Sequence, residues 1–189
     1  MKKFVLLTSV CVLLSVVPAW GQSSQQPSSK DALSTWLHKS YAGRRDNLIA
    51  SAERVPDDIY NLRPGPQKEV RTYGQIIGHL ANFNYLWCSQ AAQEKNPAQG
   101  KDFEKLETRA ELTQALKDAF HYCDSVYANL TDASGIEMVQ ITQENGKEAH
   151  VPRMSLLIQN LAHNNEHYGN LVTYMRIKSI VPPSSQPRS

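Results

Sequence analysis

The chain has 189 residues, with 20 Lys+Arg against 18 Asp+Glu and a formal net charge of +2. Lys2 and Lys3 supply that excess, so the rest of the chain is charge-balanced, which argues against binding to nucleic acid or to an anionic membrane. This length suits one domain with room for a proper hydrophobic core.

In chain order, the basic Lys2 and Lys3 are followed by an almost wholly apolar stretch from Phe4 to Val17, then by Ala19-Trp20-Gly21 with small residues at two cleavage-site positions. This reads as a signal peptide over 1–21, removed on export to the periplasm or the outside. A membrane span fits less well, because Thr8, Ser9 and Ser15 interrupt the run, Pro18 breaks it, and it falls short of the roughly 20 residues a bilayer requires. Cys11 follows Val10 rather than a small residue, which disfavours a lipoprotein. Residues 22–29 are Gln, Ser and Pro only and carry too little apolar surface to fold; the tail 182–189 is similar, and both are expected to be flexible. The folded unit is expected over 30–181.

Within it, four stretches carry the helical period. Leu33, Trp36, Leu37, Tyr41, Leu48 and Ile49 predict a first helix near 31–53, stopped by Pro56. Thr72 and Gln75 stand at capping-box spacing before Ile76, Ile77, Leu80, Phe83, Trp87 and Ala91, and Asn96-Pro97 ends this second helix. Thr108 and Glu111 repeat the signature ahead of a third, with Leu112, Leu116, Phe120, Cys123 and Tyr127 on its apolar face. A fourth starts near Pro152 and runs through Leu156, Leu157, Leu161, Leu171 and Met175 toward Pro182-Pro183. Between the last two, Asn145-Gly146 offers a two-residue hairpin turn flanked by 138–142 and 148–151, so a small exposed β-hairpin is expected there. Amphipathic helices without a buried sheet must cover one another's apolar stripes, and the predicted fold is an all-α four-helix bundle. Cys88 and Cys123 remain after export, where an oxidising compartment permits a disulfide; two small buried hydrophobes is the alternative.

Histidines carry the chemistry. His163 and His167 are four residues apart on a helix, so their imidazoles project from one face, one turn apart, in a chelating geometry. That spacing also arises by chance, and the weight comes from the surroundings. Leu156, Gln159, His163, His167, Asn170 and Tyr174 form one stripe running toward the inward face, and His79 sits mid-helix between Ile76 and Phe83. Unpaired polar groups there cost several kcal/mol each. One shared divalent ion would satisfy all three rings; separate hydrogen bonds to protein neighbours would also do so. His38, His121 and His150 lie among polar neighbours and read as solvated.

Two segments carry a resemblance: Tyr73-Gly74-Gln75-Ile76-Ile77-Gly78-His79-Leu80-Ala81, and His163-Asn164-Asn165-Glu166-His167-Tyr168-Gly169-Asn170-Leu171 with Tyr174-Met175-Arg176 beyond it. They resemble the signature helices of the DinB-like superfamily, which place one histidine in the second helix and a His-x-x-x-His pair in the fourth. Asn170 stands where that family usually has glutamine. The likeness extends over essentially the whole chain after the leader. It implies an up-down-down-up bundle, often a homodimer, holding a zinc- or nickel-like ion on His79, His163 and His167 with positions left open. Characterised members include thiol-dependent transferases and an isomerase; export separates this chain from cytosolic thiol cosubstrates.

For proton transfer, Glu166 is the nearest carboxylate in sequence, about 60° around the helix from His163 and about 100° from His167, so pairing with a neighbouring helix is its other role. Arg44 and Arg45 interrupt the apolar face of the first helix and could receive an anionic substrate or simply reach solvent. Asn82, Asn170 and Tyr174 are candidates for the layer behind the ligands or the pocket wall. The two functional readings are a metal-dependent transferase or hydrolase acting on a small molecule, and a non-catalytic metal- or ligand-binding module.

Overall fold

The computed structural model describes residues 30–143 and 145–186. The expected leader at 1–21, the segment 22–29 and residues 187–189 lie outside the described residues. Helix α1 spans Ala32–Arg54, α2 Tyr73–Ala92, α3 Arg109–Ala128, α4 Asp132–Gly135 and α5 Arg153–Ile177, with strands β1 (Met138–Thr142) and β2 (Glu148–Pro152) before α5. The expected all-α bundle with a small hairpin is thus the observed fold, and α5 is the fourth long helix. Among the described residues, no helix is long and apolar enough to cross a membrane.

Contacts along the helices give their directions. Asp31 meets Asp132 and Glu53 meets Lys117, so α1 and α3 are antiparallel. Gly74 faces Leu112 while Cys88 is bonded to Cys123, so α2 and α3 run parallel. Tyr73 packs on Tyr174 and Asn84 on Asn160, which sets α5 antiparallel to α2. The order is up-down-down-up.

Both predicted capping boxes form: Thr72 with Gln75 and Thr108 with Glu111 satisfy orphan N–H groups at the starts of α2 and α3. At the opposite end, the Asp132 carboxylate accepts from the N–H groups of Leu33 and Ser34, while Asp31 accepts from the Asp132 N–H. Each of these aspartates caps the other's helix. The core is rich in tyrosine. Tyr41 stacks on Tyr127 at 3.8 Å, and their hydroxyls donate to the carbonyls of Phe120 and Leu157, so the rings bury without an orphaned O–H. The Cys88–Cys123 disulfide closes a sequence separation of 35 residues, which on chain-entropy grounds stabilises the fold by about 4 kcal/mol.

Several local expectations need correction. Leu33 and Trp36 belong to the apolar period of α1 yet are 50% and 60% exposed; Leu37, Tyr41, Leu48 and Ala52 bury instead, because the helix turns its small and polar Ser34 and Ser51 inward. The hairpin exists, but Thr142 pairs with Glu148, leaving five residues rather than two in the turn. Gly146 takes φ 78 and donates to the Gln143 carbonyl, while the Gln143 N–H reaches Lys147. A glycine in the left-handed region closes a longer loop of this kind. The tail is not free from Pro182 onward: Pro183–Ser185 form a 3-10 turn, Pro182 is buried, and the Ser184 N–H donates to the Tyr168 hydroxyl. The short α4 escaped notice, since four residues carry no period.

Candidate metal centre

His79 lies on α2 and His163 and His167 on α5, and the antiparallel packing of these helices sets the three rings against one another. His163 Nε2 is 3.1 Å from His79 Nε2 and 3.0 Å from His167 Nε2, and one ligand nitrogen from each ring fits within a 4.8 Å span. His79 and His167 are buried and His163 half-buried. Phe83 and Trp87, which the apolar period of α2 places in the core, instead wall the cluster, with ring centroids 4.9 and 4.7 Å from that of His163.

Hydrogen bonds among the rings cannot settle this arrangement. A neutral imidazole nitrogen offers either one N–H or one lone pair, in one in-plane direction. His163 Nε2 faces two such nitrogens at once and can serve only one. A cation between the three would accept a lone pair from each, and ligand bonds of about 2.05 Å in tetrahedral geometry place nitrogens about 3.3 Å apart, close to what is observed. The protonation states also suit a ligand set. Burial, then the charges His167 and His79 would carry, pushes His163 down to about 3. Burial and His79 lower His167 to about 4, against a small upward pull from Glu166. Burial likewise lowers His79, outweighing the hydrogen bond it donates to Glu104. All three rings are therefore neutral near pH 7, the form that binds metal.

Behind the rings, Glu104 Oε1 lies 2.7 Å from His79 Nδ1 and its other oxygen accepts from Arg71 Nε at 2.8 Å. The carboxylate holds the His79 proton on Nδ1 and leaves Nε2 facing the centre. The segment 102–105 reaches α2 at Gly78, where any Cβ would collide with the Phe103 carbonyl. Asn82 fastens that segment, accepting from the Phe103 N–H and donating to Asp102. Asn82 thus positions Glu104 and does not itself meet the imidazoles. The Asn170 side-chain amide nitrogen lies 3.2 Å from His167 Nδ1 and holds that ring in orientation. His163 Nδ1 is buried without a partner among the described residues.

Tyr174 donates to the Arg71 carbonyl and, with Arg71, Ile76, Glu166, His167 and Asn170, lines a cavity of about 420 Å³ beside the cluster. Glu166 is exposed at its rim. Arg44 is not part of this site: its guanidinium lies 4.6 Å over the Tyr168 ring, on the far side of α5. Arg45 does not reach free solvent either, pairing with Asp46 and with Asp124 of α3. Glu104 and Arg71 escaped the sequence reading because no periodicity links a loop carboxylate to a histidine 25 residues away. The stripe on α5 was drawn slightly too far round: Gln159 and Asn170 are exposed, and the polar side chains that bury are Asn160 and Asn164.

The structure resembles two solved proteins. A DinB-like protein from Bacillus cereus ATCC 10987 superposes with TM-score 0.63 at 15% identity, over 78% of this chain and 93% of that one. A DinB-like protein from Bacillus subtilis gives 0.59 at 18%, over 81% and 99%. Among curated proteins there is no match. The sequence model of the DinB superfamily matches residues 41–171, which span most of α1 through α5, and the chain belongs to that superfamily.

Proposed function

We propose that this protein is an exported, metal-dependent transferase or hydrolase that works on a small molecule at a three-histidine centre. The supporting observation is the convergence of His79, His163 and His167 Nε2 atoms on one point that their own hydrogen bonding cannot satisfy. A divalent ion held there, zinc or nickel by its nitrogen ligands, would act as a Lewis acid and lower the pKa of a bound water or thiol. The chain's own groups orient the centre: Glu104 fixes the His79 tautomer, Asn170 holds the His167 ring, and Phe83 and Trp87 shield one side from water. The cavity lined by His167, Arg71 and Tyr174 is where a substrate would reach it, with Glu166 at the rim to accept a proton. Export rests on the leader-like 1–21 segment, and the partner is a small molecule rather than nucleic acid because the charge is balanced.

A second reading, a non-catalytic module whose ion organises the bundle, is favoured by the solvent exposure of Glu166, which makes no hydrogen bond to a histidine among the described residues. Elemental analysis of purified protein tests what both share. About one divalent ion per chain is expected, with severe loss in His79→Ala, His163→Ala and His167→Ala. Unchanged occupancy in the three variants would refute the site.

A further inference from the structure

On the other side of α5 lies a groove of about 820 Å³ between α1, α5 and the docked Pro183–Ser185 turn. Trp36, Ser40, Gly43 and Asn47 fall on one stripe of α1 and form one wall. Leu161 and Asn165 of α5 form the other. Asn165 is about 200° around α5 from His163 and about 160° from His167, so the groove is separate from the histidine centre.

Three features of this groove go beyond what packing requires. Arg44 carries its charge into the wall with its Nε buried and unpartnered, and among the described residues it makes no ion pair; the Tyr168 ring below is its electrostatic support. Asp46, which also borders the groove, is paired with Arg45, and Lys39 adds a second cation at the edge. Gly43 sits in the middle of a 23-residue helix, where glycine weakens the helix, and nothing lies within 4 Å of where its Cβ would be. Its conformation does not require glycine, since its φ is not positive; what it leaves is open space beside Arg44. Trp36 is 60% exposed, two turns along the same stripe, about 12 Å from Arg44 by helix rise.

We propose that this groove binds a small organic carboxylate, its acid group on the Arg44 guanidinium and its flat apolar body in the space left by Gly43, toward Trp36. A planar guanidinium pairs bidentately with a carboxylate, and partial burial strengthens that pair relative to one in open solvent. A neutral analogue of the same shape would leave the cation unpaired.

Titration calorimetry of the full chain with 1-naphthoate and with 1-naphthamide tests this, alongside Arg44→Gln and Gly43→Leu. The acid is expected to bind saturably and at least ~10-fold more tightly than the amide, a preference of the size charge-assisted pairing confers. Arg44→Gln should erase that preference. Gly43→Leu should abolish binding while keeping or raising the melting temperature, because leucine is the better helix former and fills the groove. His163→Ala should bind naphthoate as the wild type does. Equal affinity for acid and amide, no saturable binding of either, or naphthoate binding unchanged in Arg44→Gln or Gly43→Leu would each overturn the proposal.

Discussion

Two polar clusters are buried between α2 and α5, little more than one turn apart, and they are solved differently. Around Asn84 the amides are matched: Asn160 and Asn164 donate to Asn84 Oδ1, Asn84 donates to Asn164 Oδ1 and the Leu80 carbonyl, and the second Asn164 N–H donates to Asn160 Oδ1. Donors and acceptors there close on one another. Around His79, three rings bring three equivalent nitrogens to one point and the histidine cluster stays open. A buried polar cluster that balances internally is architecture; one that carries surplus lone pairs is a place for a guest.

Acid should separate the two clusters most. His79, His163 and His167 each bind a proton more weakly in the folded chain than unfolded, so the unfolded state takes up more protons as pH falls. The stability of metal-free protein is then whole above about pH 6.5 and lost as pH drops through about 4 and about 3. Denaturant melts across this range should show the fall, and His163→Leu, which removes the lowest of these groups, should flatten it. Equal slopes in the two proteins would mean the cluster does not govern acid stability.

Next in size is Asn84→Ala, which leaves the Asn160 and Asn164 amides buried without their shared acceptor and should destabilise by about 3 kcal/mol. Ion content of the folded fraction should be close to wild type. A large loss of metal with no loss of stability would reverse the roles assigned to the two clusters. Smaller again is Glu104→Gln. Losing the charge behind His79 should weaken metal binding by about 10- to 100-fold while the melting temperature of metal-free protein changes little. Competition with a chelator of known affinity reads this directly, and an unchanged affinity would make Glu104 a partner of Arg71 alone.

How much of this was legible beforehand depended on whether the signal was periodic. The long helices, both capping boxes and the His163–His167 pair could be read because each follows from spacing along one helix or from a cap motif beside it, while joining His79 to that pair leaned on the resemblance. The resemblance then supplied the helix directions that spacing lacks. What could not be read was the pairing of loops with helices. Glu104 meets His79 only because Gly78 lets the segment 102–105 lie on α2, and a glycine does not announce which backbone it admits. Amphipathicity misplaced Leu33 and Trp36, since a helical period finds an apolar stripe but not which residues of it a neighbouring helix will cover. Arg44 was noticed as an oddity on α1, and its separation from the histidines required knowing which side of α5 it faces.

Because α2 and α3 point the same way, the chain between them must travel back the length of the bundle, and Gln93 to Asp102, exposed apart from Asn96 and Ala98, is part of that return. The Cys88–Cys123 bridge spans the same interval. A protease that nicks the return would produce two fragments still stapled to each other, one bearing His79 and the other Glu104, His163 and His167. Reduction of that one bond would then remove the covalent link between them.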